Sequence, residues 1–290
     1  MERRDPKLEQ RLLQALNGAR IGKPCYAFRE VSSTMERAHA LVREGAGEGT
    51  LVFAARQEQG RGRLGRRWES PEGGAYFSLI LKPSRPPAES PQLSLVAGLA
   101  VAETIYEQLE RASRPRRAPS QQGWSPKGVP DAARDGPPHQ TSPAPSCSIL
   151  IRWPNDILLD GKKVAGILTE AKDGAVVVGI GINVTTDPKD LPDTATSLAA
   201  CGAACDLYQL AAELCRKFDG WYDIWSAQGF VPIRKALRPR LNLGALVRVI
   251  AGGSQVEGQA TDVDEQGRLL VRLDSGLVHA FDVGEVTLLR

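Results

Sequence analysis

Three glycines and four arginines crowd the nine residues GRGRLGRRW at 60–68, between the apolar segments TLVFAA at 50–55 and AYFSLIL at 75–81. Both segments read as buried strands, so the fold must place this loop at the edge of a core. Glycines let a backbone approach an anion closely and take positive φ, with successive N–H groups pointing at it. Arginines add charge-assisted hydrogen bonds. Composition of this kind also serves flexible tails, but a loop clamped between two core strands is a site for an anion such as phosphate.

The 290 residues, 42% of them hydrophobic, suffice for one medium domain and one small one. A net charge of +3 is too slight for a dedicated nucleic-acid binder, so the positive charge is local to the loop. No apolar run reaches the roughly 18 residues of a membrane span. The charged start MERRD is not followed by a signal-peptide core, and a cytoplasmic protein is expected. Five cysteines make an odd count; Cys201 and Cys205, in CxxxC spacing without a nearby histidine, read as ordinary reduced thiols. His39, His139 and His279 are scattered, with no candidate nucleophile beside any of them.

Helical spacing of Leu8, Leu12, Leu13 and Leu16, stopped at Gly18, predicts one helix over 7–17 within an N-terminal extension, 1–24. A winged-helix DNA-binding module needs a second, recognition helix, for which there is no room before Tyr26. A strand ending near Val31 then passes through Ser32, Ser33 and Thr34 into a capped helix. A further helix is expected over 94–109. From 112 to 148 the chain is rich in Pro, Ser, Arg, Gln and Gly, the composition of a disordered insertion. Such a loop costs only about 2 kcal/mol more than a short one. The segment ILIRW at 149–153 restarts as a strand, PND turns it, and 157–159 and 163–170 form a hairpin closed at Asp160 and Gly161. A core strand over 175–184 and helices over 206–225 and 230–237 follow. After a boundary near Pro239, four short strands at 245–249, 256–260, 269–273 and 277–281 predict a small antiparallel barrel over 240–290.

In this order, Ser33-Thr34, GRGRLGRRW at 60–68, RWPND at 152–156, KKVAGIL at 162–168, GIGINV at 179–184, and a C-terminal barrel with Gly258 and Gly284-Glu285 resemble the biotin protein ligase family. The match runs along nearly the whole chain from Tyr26. It implies an α+β fold: a mixed β-sheet catalytic domain over 25–238, like that of class II aminoacyl-tRNA synthetases, and an SH3-like barrel. It implies a two-step reaction. Biotin's carboxylate attacks the α-phosphate of ATP, giving biotinyl-5′-adenylate and pyrophosphate; a lysine of a biotin carboxyl carrier protein, or the carrier domain of a biotin-dependent carboxylase, then takes the biotinyl group. Mg²⁺ is implied as the ATP counter-ion, with its protein ligands unassigned. The oligomeric state stays open, a homodimer included.

Roles follow residue by residue. A carboxylate and a polyphosphate repel, and each compensating unit pair at 4 Å contributes about 4 kcal/mol at an effective dielectric near 20. Arg61, Arg63 and Lys163 are the candidates, with Gly62 between the arginines. Lys163, on a strand, is the first choice for polarising the reacting oxygens, whereas Lys162 suits an exposed strand position. Ser33, Thr34 and Gln57 match positions that hydrogen-bond biotin's ureido ring, although Ser33 and Thr34 also suit helix caps. Met35 stands where the family usually has Asn, which puts one side-chain contact in doubt. Trp68 would close over the intermediate, or else serve as a core tryptophan. Asn155 and Asp156 form a polar turn facing the ligand; Asp156 would orient or deprotonate the incoming amine, or simply hold the turn. Gly166 allows close ligand approach, and Asn183 falls at the pocket wall.

Three rivals remain. Lipoate or octanoate ligases and transferases share the catalytic fold but usually differ in the glycine loop and C-terminal domain. A biotin-sensing repressor needs the winged helix, so no DNA partner is expected, and no membrane. A nucleic-acid-binding module using the Arg/Gly loop would carry interleaved exposed aromatics.

Overall fold

The computed structural model describes residues 4–114 and 147–289. Apart from its two ends, the predicted insertion at 112–148 lies outside the described residues. Seven strands make one mixed sheet in the order β1-β2-β3-β7-β6-β5-β4. They are β1 (Cys25–Val31), β2 (Leu51–Gln57), β3 (Gly74–Leu81), β4 (Ile149–Arg152), β5 (Asp156–Leu159), β6 (Lys162–Lys172) and β7 (Ala175–Asn183). β1 and β2 are parallel, joined through α2 (Thr34–Arg43), and every other neighbouring pair is antiparallel.

Period-two alternation sends successive side chains of these strands into two cores. Phe53, Phe77, Leu79 and Val178 face the larger one, with α1 (Pro6–Ala15), α3 (Gln92–Ser113), α4 (Leu207–Gln228) and α5 (Phe230–Leu237). Val52, Ala54, Ile80 and Val177 face the smaller one, beneath α2. Beyond Val177 the same parity of β7 carries Gly179 and Gly181, and Gly181 pairs with Gly166 of β6. The α2 side of the sheet thus ends in a strip without side chains.

The hairpin turn forms as the sequence predicts, with Asp160 (φ 49°) and Gly161 (φ 79°) both left-handed. α3 runs past the expected end at Leu109, and Arg111 in its last turn pairs with Glu213 of α4 at 2.7 Å. The C-terminal barrel has five strands rather than the four predicted: β8 (Leu246–Ala251), β9 (Ser254–Val263), β10 (Leu269–Arg272), β11 (Val278–Phe281) and β12 (Glu285–Leu288). They are antiparallel in the order β11-β10-β9-β8-β12, an SH3-like unit. The strand absent from the sequence reading is β12, which pairs with β8. The barrel shares the larger core through Val247, Val249, Leu269 and Val271. The Trp153 indole N–H also donates to Gly267 O at 2.9 Å.

Candidate active site

The position of Lys163 depends on a backbone irregularity. β5 and β6 pair Ile157 with Ala165 but Leu158 with Lys163, leaving Val164 as an extra residue. A bulge of this kind re-aims a side chain. In a regular strand Lys163 and Gly166 would lie on opposite faces. Here a Cβ on Gly166 would meet Lys163 Cε at 3.1 Å and Nζ at 3.3 Å, so both face the glycine strip. The lysine backbone is fixed by Lys163 N–H to Thr194 O and Thr196 N–H to Lys163 O, both 2.9 Å. Its ammonium lies 2.6 Å from Asp156 Oδ1 and 4.9 Å from the centroid of the Trp68 ring. Asp156 Oδ2 accepts from Arg152 at 2.6 Å, so this carboxylate bridges two cations.

The Trp68 indole lies on the strip itself. A Cβ on Gly181 would come within 2.6 Å of Trp68 Nε1, and one on Gly166 within 2.8 Å of Cζ3. The recess left around it is only about 50 Å³. Thr34, Met35, Gln57, Arg61, Gly62 and Arg63 line it, together with Trp68, Asn155, Lys163 and Gly166, which gathers ten of the predicted residues in one place. Asp156 and Asn183 line an adjoining cavity of about 380 Å³, shared with Arg63, Trp68, Asn155 and Lys163 and walled on one side by Gly284–Thr287 of the barrel. The larger cavity is of small-molecule size; the recess reaches that size only if Trp68 moves off the glycines.

Ser33 lies outside both linings, 1% exposed, and its hydroxyl neither caps α2 nor finds another partner. Thr34 N–H and Oγ1 both donate to Gln57 Oε1, at 2.8 and 3.0 Å, and Gln57 Nε2 donates to Ser70 Oγ at 2.9 Å. The cap reading therefore fails for both hydroxyls. Met35 packs its sulfur against Gly179, where a Cβ would meet Sδ at 2.5 Å. Buried polar atoms without a partner among the described residues include Ser33 Oγ, Trp68 Nε1 and Asn183 Oδ1. Each costs free energy unless a ligand or water meets it.

The glycine loop departs from the expected anion nest. Gly62 N–H to Arg66 O and Trp68 N–H to Gly60 O, both 2.8 Å, make it a miniature hairpin. Of its three glycines only Gly65 has positive φ, preceded by the exposed Leu64 at φ 56°. Gly60 is required for another reason, since a Cβ would come within 2.3 Å of Trp68 O. Nor do four arginines face one anion. Arg61 pairs with Glu170 at 2.7 Å, Arg66 makes two 2.6 Å bonds to Glu285, and Arg67 donates to Glu58 O with Glu69 3.6 Å away. Among the described residues Arg63 is the loop arginine without a carboxylate partner. It donates to Asn155 Oδ1 at 3.2 Å and Gly284 O at 3.0 Å, and burial pulls its pKa below the ordinary arginine value. A half-buried, unneutralised guanidinium between the two cavities suits an anionic ligand.

Two residues that sequence reasoning missed support this arrangement. Glu170 holds Arg61, and the buried His39 of α2 holds Glu170 through a 2.9 Å contact from Nε2. Glu170 lies seven residues beyond Lys163 on the same strand, the one sequence signal available.

The Biotin/lipoate A/B protein ligase family model matches residues 27–187, more than half of the chain, and the Biotin protein ligase C terminal domain matches 243–289. A bifunctional ligase/repressor BirA of Bacillus subtilis is 34% identical over 85% of this chain and 69% of its own length. A biotin--[acetyl-CoA-carboxylase] ligase of Mycobacterium tuberculosis is 31% identical over 100% of this chain and 98% of its own. Among solved structures, a biotin protein ligase from Aquifex aeolicus in complex with biotin and ATP superposes with TM-score 0.70 at 28% identity, over 92% of this chain and 99% of that one. On matches to both parts of the fold, this chain belongs to the Biotin/lipoate A/B protein ligase family.

Proposed function

We propose that the chain is an ATP-dependent biotin protein ligase, with residues 25–238 carrying the chemistry, 240–290 closing the site, and 1–24 a helical extension. The observation that carries this reading is the joint presence of Lys163 and Arg63 on one recess floored by Gly166, opening into a cavity of nucleotide size.

In the first step a biotin carboxylate oxygen bonds to the α-phosphorus of ATP and pyrophosphate leaves. Lys163 and Arg63 neutralise the approaching anions, and positioning plus electrostatics supply the catalysis without a protein nucleophile. Asp156, fixed between Lys163 and Arg152, positions the ammonium. In the second step a carrier lysine amine bonds to the acyl carbon and AMP leaves. Trp68, rehoused over the intermediate, excludes water from an acyl-adenylate that hydrolyses readily. Ser33, Thr34 and Gln57 supply polar partners for a ureido ring and Asn155 a polar turn facing the ligand, with Gly62 and Asn183 at the walls and Met35 as an apolar side. A ureido ring can exchange hydrogen bonds with the Thr34–Gln57–Ser70 network, which the hydrocarbon chains of lipoate and octanoate cannot.

Among the described residues, the carboxylates lining the larger cavity are Glu69, Asp156 and Glu285, each already beside an arginine or lysine. That set fits Mg²⁺ carried in on the phosphates rather than caged by protein. When bound, Mg²⁺ supplies charge neutralisation to the polyphosphate. The carrier protein or domain is the macromolecular partner. No helix among the described residues is long and apolar enough to cross a membrane.

ATP–pyrophosphate exchange with biotin, lipoate and octanoate side by side tests the reading. Biotin-dependent exchange is expected; exchange with lipoate or octanoate alone would overturn it.

A further inference from the structure

Cys147, Asp160 and Cys201 are distant in sequence, yet their ligand atoms lie within 4.8 Å of one another. Cys147 stands just before β4, Asp160 opens the turn between β5 and β6, and Cys201 ends the short 3-10 turn Ala199–Cys201. The CxxxC pair is therefore not the pairing the fold makes. None of the three residues lines either cavity of the ligase site. No described cysteine is in a disulfide.

The carboxylate is held in place. Asp160 Oδ1 accepts from Ser148 N–H at 2.8 Å and Ser148 Oγ at 3.3 Å, while Asp160 N–H donates to Ser148 O at 3.0 Å. The Ser148 backbone bond, with further bonds from the Cys147 and Ser148 side chains, keeps Asp160 below the usual carboxylate pKa. The carboxylate is oriented beside two sulfurs by Ser148, which is outside the trio, as outer hydrogen bonds orient metal ligands.

Two sulfurs and one oxygen form a donor set for a borderline-soft divalent ion, and Mg²⁺ and Ca²⁺ prefer all-oxygen sites. Tetrahedral zinc, with bonds of about 2.3 Å to sulfur and about 2.1 Å to oxygen, puts its donors about 3.6–3.8 Å apart. The cluster needs to contract by about 1 Å at most.

We propose that Cys147, Asp160 and Cys201 bind one Zn²⁺, with the exposed side of Asp160 leaving the fourth position to solvent. Binding forms two metal–thiolate bonds and releases the two thiol protons to water. Affinity therefore falls as pH falls, by up to about 100-fold per unit. The ion would join the strand entering Arg152 and Asp156 to the segment just after Thr194 and Thr196, which bracket the Lys163 backbone. It would clamp both sides of the lysine without touching substrate, and the proposal does not depend on the ligase reading.

The test is Co²⁺ titration of the reduced, full-length protein, followed by Zn²⁺ competition. One equivalent of Co²⁺ is expected to give a thiolate-to-cobalt charge-transfer band that Zn²⁺ abolishes. The band should vanish in C147S and C201S, persist in C205S, and require at least tenfold more metal in D160N. Adenylation without added zinc should be unchanged in all four. Should either cysteine variant unfold, D160N keeps the test open, because its carboxylate is exposed. Absence of the band, its persistence in the C147S/C201S double variant, or unaltered affinity in D160N would each overturn the site. So would a count of three rather than five reactive thiols in protein denatured without reductant, if reduction restored five, which would make the pair a disulfide.

Discussion

The glycine strip of β6 and β7 and the glycine loop at 60–68 share a composition bias and work in different ways. In the strip, Gly166, Gly179 and Gly181 sit in the middle of hydrogen-bonded strands with ordinary φ, and their role is to leave space. The loop is a strained hairpin whose arginines are tied to Glu170, Gly284 and Glu285, up to 221 residues away. The strip is built by backbone pairing and should tolerate salt but no added side chain. The loop is built from surface ion pairs, individually weak and screened by salt. Shape is fixed in one region and charge in the other, and Lys163 belongs to the first.

That contrast can be broken by substitution. The largest effect is expected from Lys163→Ala: about 3 kcal/mol on the adenylation barrier, or roughly two orders of magnitude in pyrophosphate exchange. Exchange within threefold of the parent would remove Lys163 from the mechanism. Gly181→Val comes next, because its branches would enter the Trp68 indole; overpacking of about 1–3 kcal/mol should appear as a 5- to 150-fold loss, the same at low and high salt. A thermal midpoint close to the parent's would show that the loss is local. Arg63→Met removes a partly buried cation while keeping the stem, and the KM for ATP should rise by about tenfold or more; a change in KM for biotin alone would reassign the residue. The smallest effect belongs to Glu285→Gln, at no more than about 1 kcal/mol. It should shrink as salt rises, and a salt-independent loss would mean that the barrel positions the loop by packing.

The sequence displayed much of this fold. The strands on either side of the loop, the Asp160-Gly161 turn, and the helices at 207–228 and 230–237 all carry local signals, because periodicity and turn chemistry act over a few residues. Ten of the candidate residues picked out by motif order line one recess. The bulge at Val164 was invisible, since it exists only in the register between β5 and β6, and Val, Ala and Gly give no local sign of it. The partners of the arginines were equally hidden. Glu170 is an unremarkable strand residue and Glu285 only part of a barrel motif until the sheet and barrel bring them to the loop, 109 and 219 positions away. Composition announced positive charge without revealing that most of it is already neutralised.

The extra residue at Val164 also sets a reading frame for the strand. Removing Val164 would leave Ile157 opposite Ala165 and Leu158 opposite Lys163 in an unbroken ladder, with the amine two places from Gly166 and on the same face. A gap of one residue there is compatible with the amine keeping its side of the sheet, whereas the full spacing without a bulge would turn it toward the helices.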